Sequence, residues 1–344
     1  MYKRQVQQRA LQIERNSIDL STSRFSRLPS LNASAGADAS FGRVLSSDNT
    51  YKEKNQTSGS LNVSASMPLF QGMRINRQIK AGKLNLAAAV QDLEKAREDV
   101  SINIMTLYLD VLYNKELVGV AERQLALSTQ QAARSRALAA AGKQPESAIY
   151  ESDALEAKDR LTLTQARNDL RLALLDLSQA LNRESAAGFD IVEPALDSMT
   201  LASLHRLGSV EDVYAYAAEN RPHIRAERLR LEGSEHSVAV ARADLYPSLS
   251  LSGGYGTGIY SADKDKFWAQ MRHNSREYVG VSLDIPIFNR RAARNNISKA
   301  QIAVRSQQLA VTEAERDLRK QIEQAWYNAD ACLLYTSPSP RDCS

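Results

Sequence analysis

The feature that most constrains this chain is a stretch that occurs twice. It is an alternating strand pattern that ends in proline and phenylalanine and runs directly into a helical pattern. The first copy reads Leu61-Asn62-Val63-Ser64-Ala65-Ser66-Met67-Pro68-Leu69-Phe70, and the second Val279-Gly280-Val281-Ser282-Leu283-Asp284-Ile285-Pro286-Ile287-Phe288. Pro68 and Pro286 stand 218 residues apart, and so do Pro29-Ser30-Leu31 and Pro247-Ser248-Leu249. Two prolines spaced alike in both halves predict a tandem duplication. Each half reads helix, strand, loop, strand, long helix.

The strands specify two different solvents. Leu31, Ala33, Ala35, Ala37, Ala39 and Phe41 alternate with Asn32, Ser34, Gly36, Asp38, Ser40 and Gly42. Leu61, Val63, Ala65 and Met67 alternate with asparagine and serines, as do Leu249 and Leu251 with serines, and Val281 and Leu283 with Gly280, Ser282 and Asp284. Successive strand residues point to opposite faces, so one face is apolar and the other small and polar. Four such segments fit tilted transmembrane strands with a wet lumen face, and Leu31, Phe41, Val63, Met67, Leu251, Val281 and Leu283 are expected on the lipid side. A soluble antiparallel sheet with one buried face alternates in the same way, so the strands alone leave both readings open.

The helices narrow the choice. A first helix, from Val6 to about Arg27, is closed by Leu28-Pro29, because proline disfavours helical geometry in the residue before it. The polar stretch from Arg43 to Ser58 reads as an exposed loop. From about Met73 to Ala141 there is no proline, and Leu86, Leu93, Val100 and Leu107 recur every seventh residue. Val90, Ile104, Val111, Val118 and Leu125 form the partner row, with Arg97 as its polar member. This is a coiled-coil seam, and Ile102, Met105, Leu109 and Leu112 widen it for a second neighbour. At 1.5 Å per residue such a helix is on the order of 100 Å long, far beyond a usual globular helix.

Gly142-Lys143-Gln144-Pro145-Glu146-Ser147 then reverses the chain. Gly142 is expected at φ > 0, and the carbonyls before it and amides after Pro145 are expected to lack partners within the hairpin. A second helix returns to about Leu181, with Leu163, Leu170 and Leu177 in one row and Leu174 and Leu181 in the next. By itself this hairpin also suits a soluble periplasmic adaptor or a structural coiled coil. Residues 184–210, with Pro194 and Gly208, read as a link. A short helix from Glu211 to Ala218 follows, and Asn220-Arg221-Pro222 opens the next, to about Asp244. After the third strand a polar loop from Gly254 to Arg276 is expected. The last helix, opened by Pro286 and Asn289, still runs at Trp326-Tyr327, and Trp326 stands at the repeat equivalent of Tyr108.

Both ends read as foreign. Tyr2-Lys3-Arg4-Gln5 can be encoded by DNA whose reverse complement, shifted by one base, begins Cys332-Leu333-Leu334-Tyr335, the pattern of a translated sequencing adapter. The expected organisation is therefore 1–5 adapter-like, 6–183 first repeat, 184–210 link, 211–331 second repeat, and 332–344 adapter-like. A secretory signal upstream and a second hairpin downstream are expected to complete it. Cys332 and Cys343 both fall in the tail, which leaves no thiol chemistry. The net charge of +4 falls to about +2 once Lys3, Arg4, Arg341 and Asp342 are set aside, too little to argue for nucleic acid. No apolar run approaches the roughly 18 residues of a membrane helix, so a membrane protein of this composition must be a β-barrel. His205, His223, His236 and His273 lie far apart, and no phosphate loop, nucleophile elbow or HExxH motif is present. No catalytic, cofactor-binding or metal residue is assigned.

The order and spacing of these motifs resemble the TolC-like outer-membrane efflux protein family. The likeness rests on the two helix–strand–strand–helix units, Leu28-Pro29-Ser30-Leu31 and Tyr246-Pro247-Ser248-Leu249 at the strand starts, and Met67-Pro68-Leu69-Phe70 and Ile285-Pro286-Ile287-Phe288 at the ends. Asn220-Arg221-Pro222 and the turn Gly142-Lys143-Gln144-Pro145 also fit. The resemblance implies a mostly α protein with transmembrane β-structure. Three copies would form a twelve-stranded β-barrel continuous with a periplasmic α-barrel of coiled-coil hairpins in a Gram-negative outer membrane. It implies a passive duct of a tripartite efflux or type I secretion system, not an enzyme. Its partners would be outer-membrane lipid, an inner-membrane transporter, and a periplasmic adaptor docked at Gly142, Lys143, Gln144, Pro145, Glu146 and Ser147. Pro29, Pro68, Pro247 and Pro286 would break the ladder at the strand–helix junctions.

Overall fold

The protein is described from a computed structural model, over residues 2–45, 49–53, 55–183, 185–194, 208–261 and 266–336. The middle of the link, the loop residues Lys264 and Asp265, His205 and the end of the tail lie outside the described residues. The elements run α1 (Tyr2–Phe25), β1 (Ser30–Ser40), β2 (Arg43–Leu45), β3 (Tyr51–Glu53), β4 (Gln56–Gln71), α2 (Arg74–Ala140) and α3 (Ser147–Ala180). They continue with α4 (Val210–Asn220), α5 (Pro222–Ala243), β5 (Ser248–Tyr260), α6 (Phe267–His273), β6 (Arg276–Asp284) and α7 (Ala292–Thr336). Residues 2–5 and 332–336, set apart above, are helical, since Lys, Arg, Gln and Leu readily propagate a helix already nucleated.

The repeat is present at element boundaries. α1 ends at Phe25 and α5 at Ala243; β1 opens at Ser30 and β5 at Ser248; α2 opens at Arg74 and α7 at Ala292. Each pair is 218 residues apart.

Two compact units make up the chain. One comprises Ile13–Ala89 and Ala218–Arg319, and holds the main sheet. Its four strands lie in the order β1-β4-β5-β6, every neighbouring pair antiparallel. Beside the sheet strands, α2 opens with small residues: Ala81, Ala88 and Ala89 are buried, and Gly82 lies against Leu20. Val90, assigned to the seam from its spacing, is instead exposed, because the alanines let the neighbouring helices approach on their own face.

The loops differ from expectation. Within 43–58, β2 and β3 pair as a short hairpin, with Arg43 5.3 Å above the Tyr51 ring. Past Gly254, β5 continues to Tyr260, and α6 follows where only a polar loop was expected. Pro68 does not end its strand: it pairs with Ser250 inside β4, and a bulge follows before Phe70 pairs with Leu249. This is tolerated because β1 begins only at Ser30, opposite Ser66, which leaves Pro68 a strand neighbour on one side only. β6, by contrast, stops at Asp284 opposite Ser248, the first residue of β5, so Ile285–Phe288 have no strand to pair with.

The other unit comprises Met1–Gln12, Val90–Ala217 and Lys320–Ser344, and its centre is the α2–α3 hairpin. Val111, Ala173 and Leu177 form its core, with Ile104, Leu107, Tyr108, Leu170 and Leu174 packed around them. Full burial of a leucine such as Leu177 stabilises by about 1.5–3 kcal/mol. Both heptad rows continue to the turn, but their members shrink to Ala121, Ser128, Ala132 and Ser135, all buried. On α3 the second fully buried row is Ser152, Asp159, Ala173 and Ala180; Leu174 packs partly buried beside it, whereas Leu181 does not. Leu181 is the C-cap of α3 and exposed; the small residues one position earlier allow the tighter helix contact.

Candidate functional site

The registers place the side chains of the sheet. Leu31 pairs with Ala65, Val63 with Tyr255, Met67 with Leu251, Leu251 also with Val281, and Leu249 with Leu283. Directly opposed residues share a face, so Leu31, Val63, Met67, Leu251, Val281 and Leu283 stand on one side of the sheet. Phe41 lies past the end of β1, before Gly42, and is outside the ladder. The bulge re-phases β4, so Phe70 rather than Leu69 aligns with Leu249. The opposite side carries Asn32, Ser34, Asn62, Ser64, Ser252 and Ser282, with Gly254 and Gly256 between them. A side chain at Gly254 would meet the Tyr278 ring at 2.7 Å and the Val63 carbonyl oxygen at 2.9 Å.

The strand–helix junctions share one backbone device. Gly72 and Met73 have φ +57° and +64°, and their repeat equivalents Arg290 and Arg291 have φ +53° and +64°. Two consecutive left-handed residues therefore turn each strand segment into its helix. At Gly72 a Cβ would stand 2.9 Å from the Tyr246 Cβ and 3.1 Å from the Ala243 carbonyl oxygen. Arg74 bonds Gln71 and lies 3.7 Å from Asp244, and Arg27 donates to Asn76 at 2.5 Å. Pro29 and Pro247 each precede the first residue of a strand.

At the hairpin turn Gly142 has φ +67° with open space where a Cβ would be. Its amide donates to Ala139 O at 2.9 Å and that of Lys143 to Leu138 O at 2.9 Å. The amides of Ala148 and Ile149 donate to Pro145 O and Glu146 O. A Schellman closure thus satisfies Leu138 O and Ala139 O near the end of α2, and tight turns satisfy the amides of Ala148 and Ile149 in the first turn of α3. Behind the turn, Ser152 Oγ bonds Ser135 Oγ at 2.9 Å, and Arg136 pairs with Asp153 at 2.6 Å. Lys143, Gln144, Pro145 and Glu146 are exposed.

The link carries residues that spacing did not single out. Phe189 and Ile191 pack on the hairpin core, and Arg183 lies 5.0 Å above the Phe189 ring. Lys115 reaches Asp190 at 2.9 Å and Glu193 at 3.5 Å. Asp190, bonded by Lys115, is held below the usual carboxylate range, and Lys115, bonded by Asp190, above the usual lysine value. Tyr108 Oη donates to Val192 O at 2.8 Å, and Trp326 Nε1 to Gly208 O at 3.2 Å. The two repeat-equivalent aromatic positions thus anchor the two ends of one link, a role the 218-residue spacing alone could have suggested.

Among the described residues no three His, Cys, Asp or Glu stand close enough to share a metal, and no helix is long and apolar enough to cross a membrane. Residues 3–183 and 213–333 match the family described as outer membrane efflux protein. The outer membrane efflux protein BepC of Brucella suis is 22% identical over 280 residues, which are 80% of this chain and 58% of that relative. The chain therefore spans less than two thirds of the length of this curated relative. Among solved structures, CusC matches with a TM-score of 0.76 at 20% identity, over 96% of this chain and 72% of its own. The outer-membrane channel OprN matches at 0.76 and 20%, over 94% and 70%. VceC of Vibrio cholerae matches at 0.73 and 18%, over 97% and 76%.

Proposed function

Because this chain belongs to the outer membrane efflux protein family, and so to the outer membrane and the adjoining periplasm, we propose that it is a passive export duct. Three copies each contribute four strands to a twelve-stranded barrel, and their helical hairpins continue it as an α-barrel. The observation that carries this reading is the sheet: one apolar face, one small polar face, and two unpaired edges, β1 and β6. These two edge strands run in opposite directions in the order β1-β4-β5-β6, so cyclic repetition extends the antiparallel ladder until it closes. Closure is required in lipid, where an unpaired backbone edge costs several kcal/mol per group. Large apolar side chains left exposed on the helices support the need for neighbours. Ile102, Met105 and Leu109, all exposed on α2, are among them.

The hairpin turn is the docking end for a periplasmic adaptor, through which an inner-membrane transporter supplies the energy. Gly142 supports this: its position is open, so another helical tip can approach the turn closely. A soluble adaptor is set aside, since the family match runs through both repeats to channel proteins. The test expresses the full-length protein in a host lacking its own channels and measures dye export beside heat-resistant trimer on a gel. Gly142→Val should strain a turn at φ +67°, lower export and leave trimer intact. Normal export from Gly142→Val and Ser147→Trp variants, both trimeric, refutes the docking role.

A further inference from the structure

The helix α6 has a role that strand closure does not explain. β6 begins opposite Gly256, so Thr257–Tyr260 of β5 have no strand on that side. α6 occupies this place. Gln270 Oε1 accepts from the Tyr260 amide at 2.8 Å, Asn274 Nδ2 donates to Gly258 O at 2.9 Å, and Thr257 Oγ1 donates to Met271 O at 2.7 Å. Thr257 pairs with Leu61, so its side chain shares the apolar face with Leu251 and Val281, and α6 is bonded to that face.

The opposite side of α6 is unlike a packing surface. Trp268 is 78% exposed with its ring edge-on to Phe267, and Arg272 follows one turn later on the same side, with Lys266 at the start of the helix. Along the apolar face, Leu249–Leu283 and Leu251–Val281 give way to Tyr255–Glu277, where the first charge appears; α6 lies beyond that level. An indole with two cations just past the end of an apolar band fits the boundary between acyl chains and anionic headgroups. A neighbouring copy fits less well. The strand it would bring alongside, β1, turns Ala33, Ala35, Ala37 and Ala39 to this face and puts its Asp38 on the other, so it offers no anion.

We infer that α6 is an interfacial anchor, which seats Trp268 in the outer leaflet and pairs Lys266 and Arg272 with the phosphates of anionic lipid. This rests on the barrel reading above. The full-length protein is reconstituted in vesicles of brominated phosphatidylcholine, with and without phosphatidylglycerol, and the emission of its Trp268→Phe variant is subtracted to isolate this ring. Trp268 should lose most of its emission to bromine, more so with phosphatidylglycerol, and the Lys266→Gln/Arg272→Gln variant should lose only that increment. Emission open to aqueous iodide and untouched by bromine, in inserted trimer, overturns the anchor. Protection from both quenchers also overturns it, in favour of a protein neighbour. Quenching by bromine that phosphatidylglycerol does not change overturns the phosphate pairing. Protein that fails to insert at all overturns the barrel reading instead.

Discussion

The paired junctions allow one substitution to be tested against its own repeat. Gly72 and Arg290 occupy the same step of the same turn, at φ +57° and +53°, but in different surroundings. Gly72→Ala places a methyl 2.9 Å from the Tyr246 Cβ and 3.1 Å from a backbone carbonyl, neither of which is the free end of a side chain. Left-handed geometry costs a non-glycine residue about 1–2 kcal/mol, the overlap adds a similar amount, and the lower entropy of the unfolded chain offsets about 0.5–1 kcal/mol, so the loss is about 1–3 kcal/mol. Arg290→Gly runs the other way. Arg290 is exposed, and removing its side chain relieves about 1–2 kcal/mol of strain against about 0.5–1 kcal/mol of added chain entropy. A net gain on the order of 0.5 kcal/mol follows. Thermal unfolding of the detergent-extracted full-length protein, followed by far-ultraviolet circular dichroism, reads both. At roughly 2–4 °C per kcal/mol, Gly72→Ala should melt about 2–12 °C lower and Arg290→Gly slightly higher. Effects of the same sign, or an unaffected Gly72→Ala, refute the claim that backbone conformation and the Tyr246 contact govern this turn.

Val281→Arg should cost roughly 2–4 kcal/mol if the site lies near mid-bilayer, whereas Ser282→Arg on the opposite face should be far milder, as read by refolding yield into vesicles. Tyr108→Phe should lose about 1 kcal/mol by removing the bond to Val192 O, and amide exchange should rise at residues 190–194 while the turn at Gly142 stays protected. The Lys115–Asp190 clamp has a defined pH window. Asp190 is depressed from 3.8, so its contribution is present above that value and lost as pH falls through its lower folded value. Lys115 is raised from 10.5, so its share is present below that value and lost as pH climbs past its folded one. Proteolysis of the link should therefore be flat between these limits, and Asp190→Asn should abolish the acid limb.

The alternation of Leu31 to Ala39 and of Val279 to Leu283 determined two unlike faces, because side chains of a strand must alternate whatever surrounds it. The proline-free heptads determined a long helix, and Gly142 its reversal, since both follow from local backbone rules. The 218-residue spacing determined the repeat and the strand boundary at Ser248, whereas the last helix, read from Pro286 and Asn289, opens only at Ala292. Other features depend on partners distant in sequence. Pro68 stays in a strand only because β1 does not reach it while β5 does, and Ile285–Phe288, with the same motif, leave the sheet for want of a partner. Ser128 and Asp159 are buried although neither is apolar, because small side chains and a facing Gln124 let α2 and α3 close on them. The Lys115–Asp190 clamp and the α6 contact with Thr257 join residues whose spacing follows no local period. Local pattern governs which conformation a segment prefers; only packing against the rest of the chain decides where it ends and what its exposed groups meet.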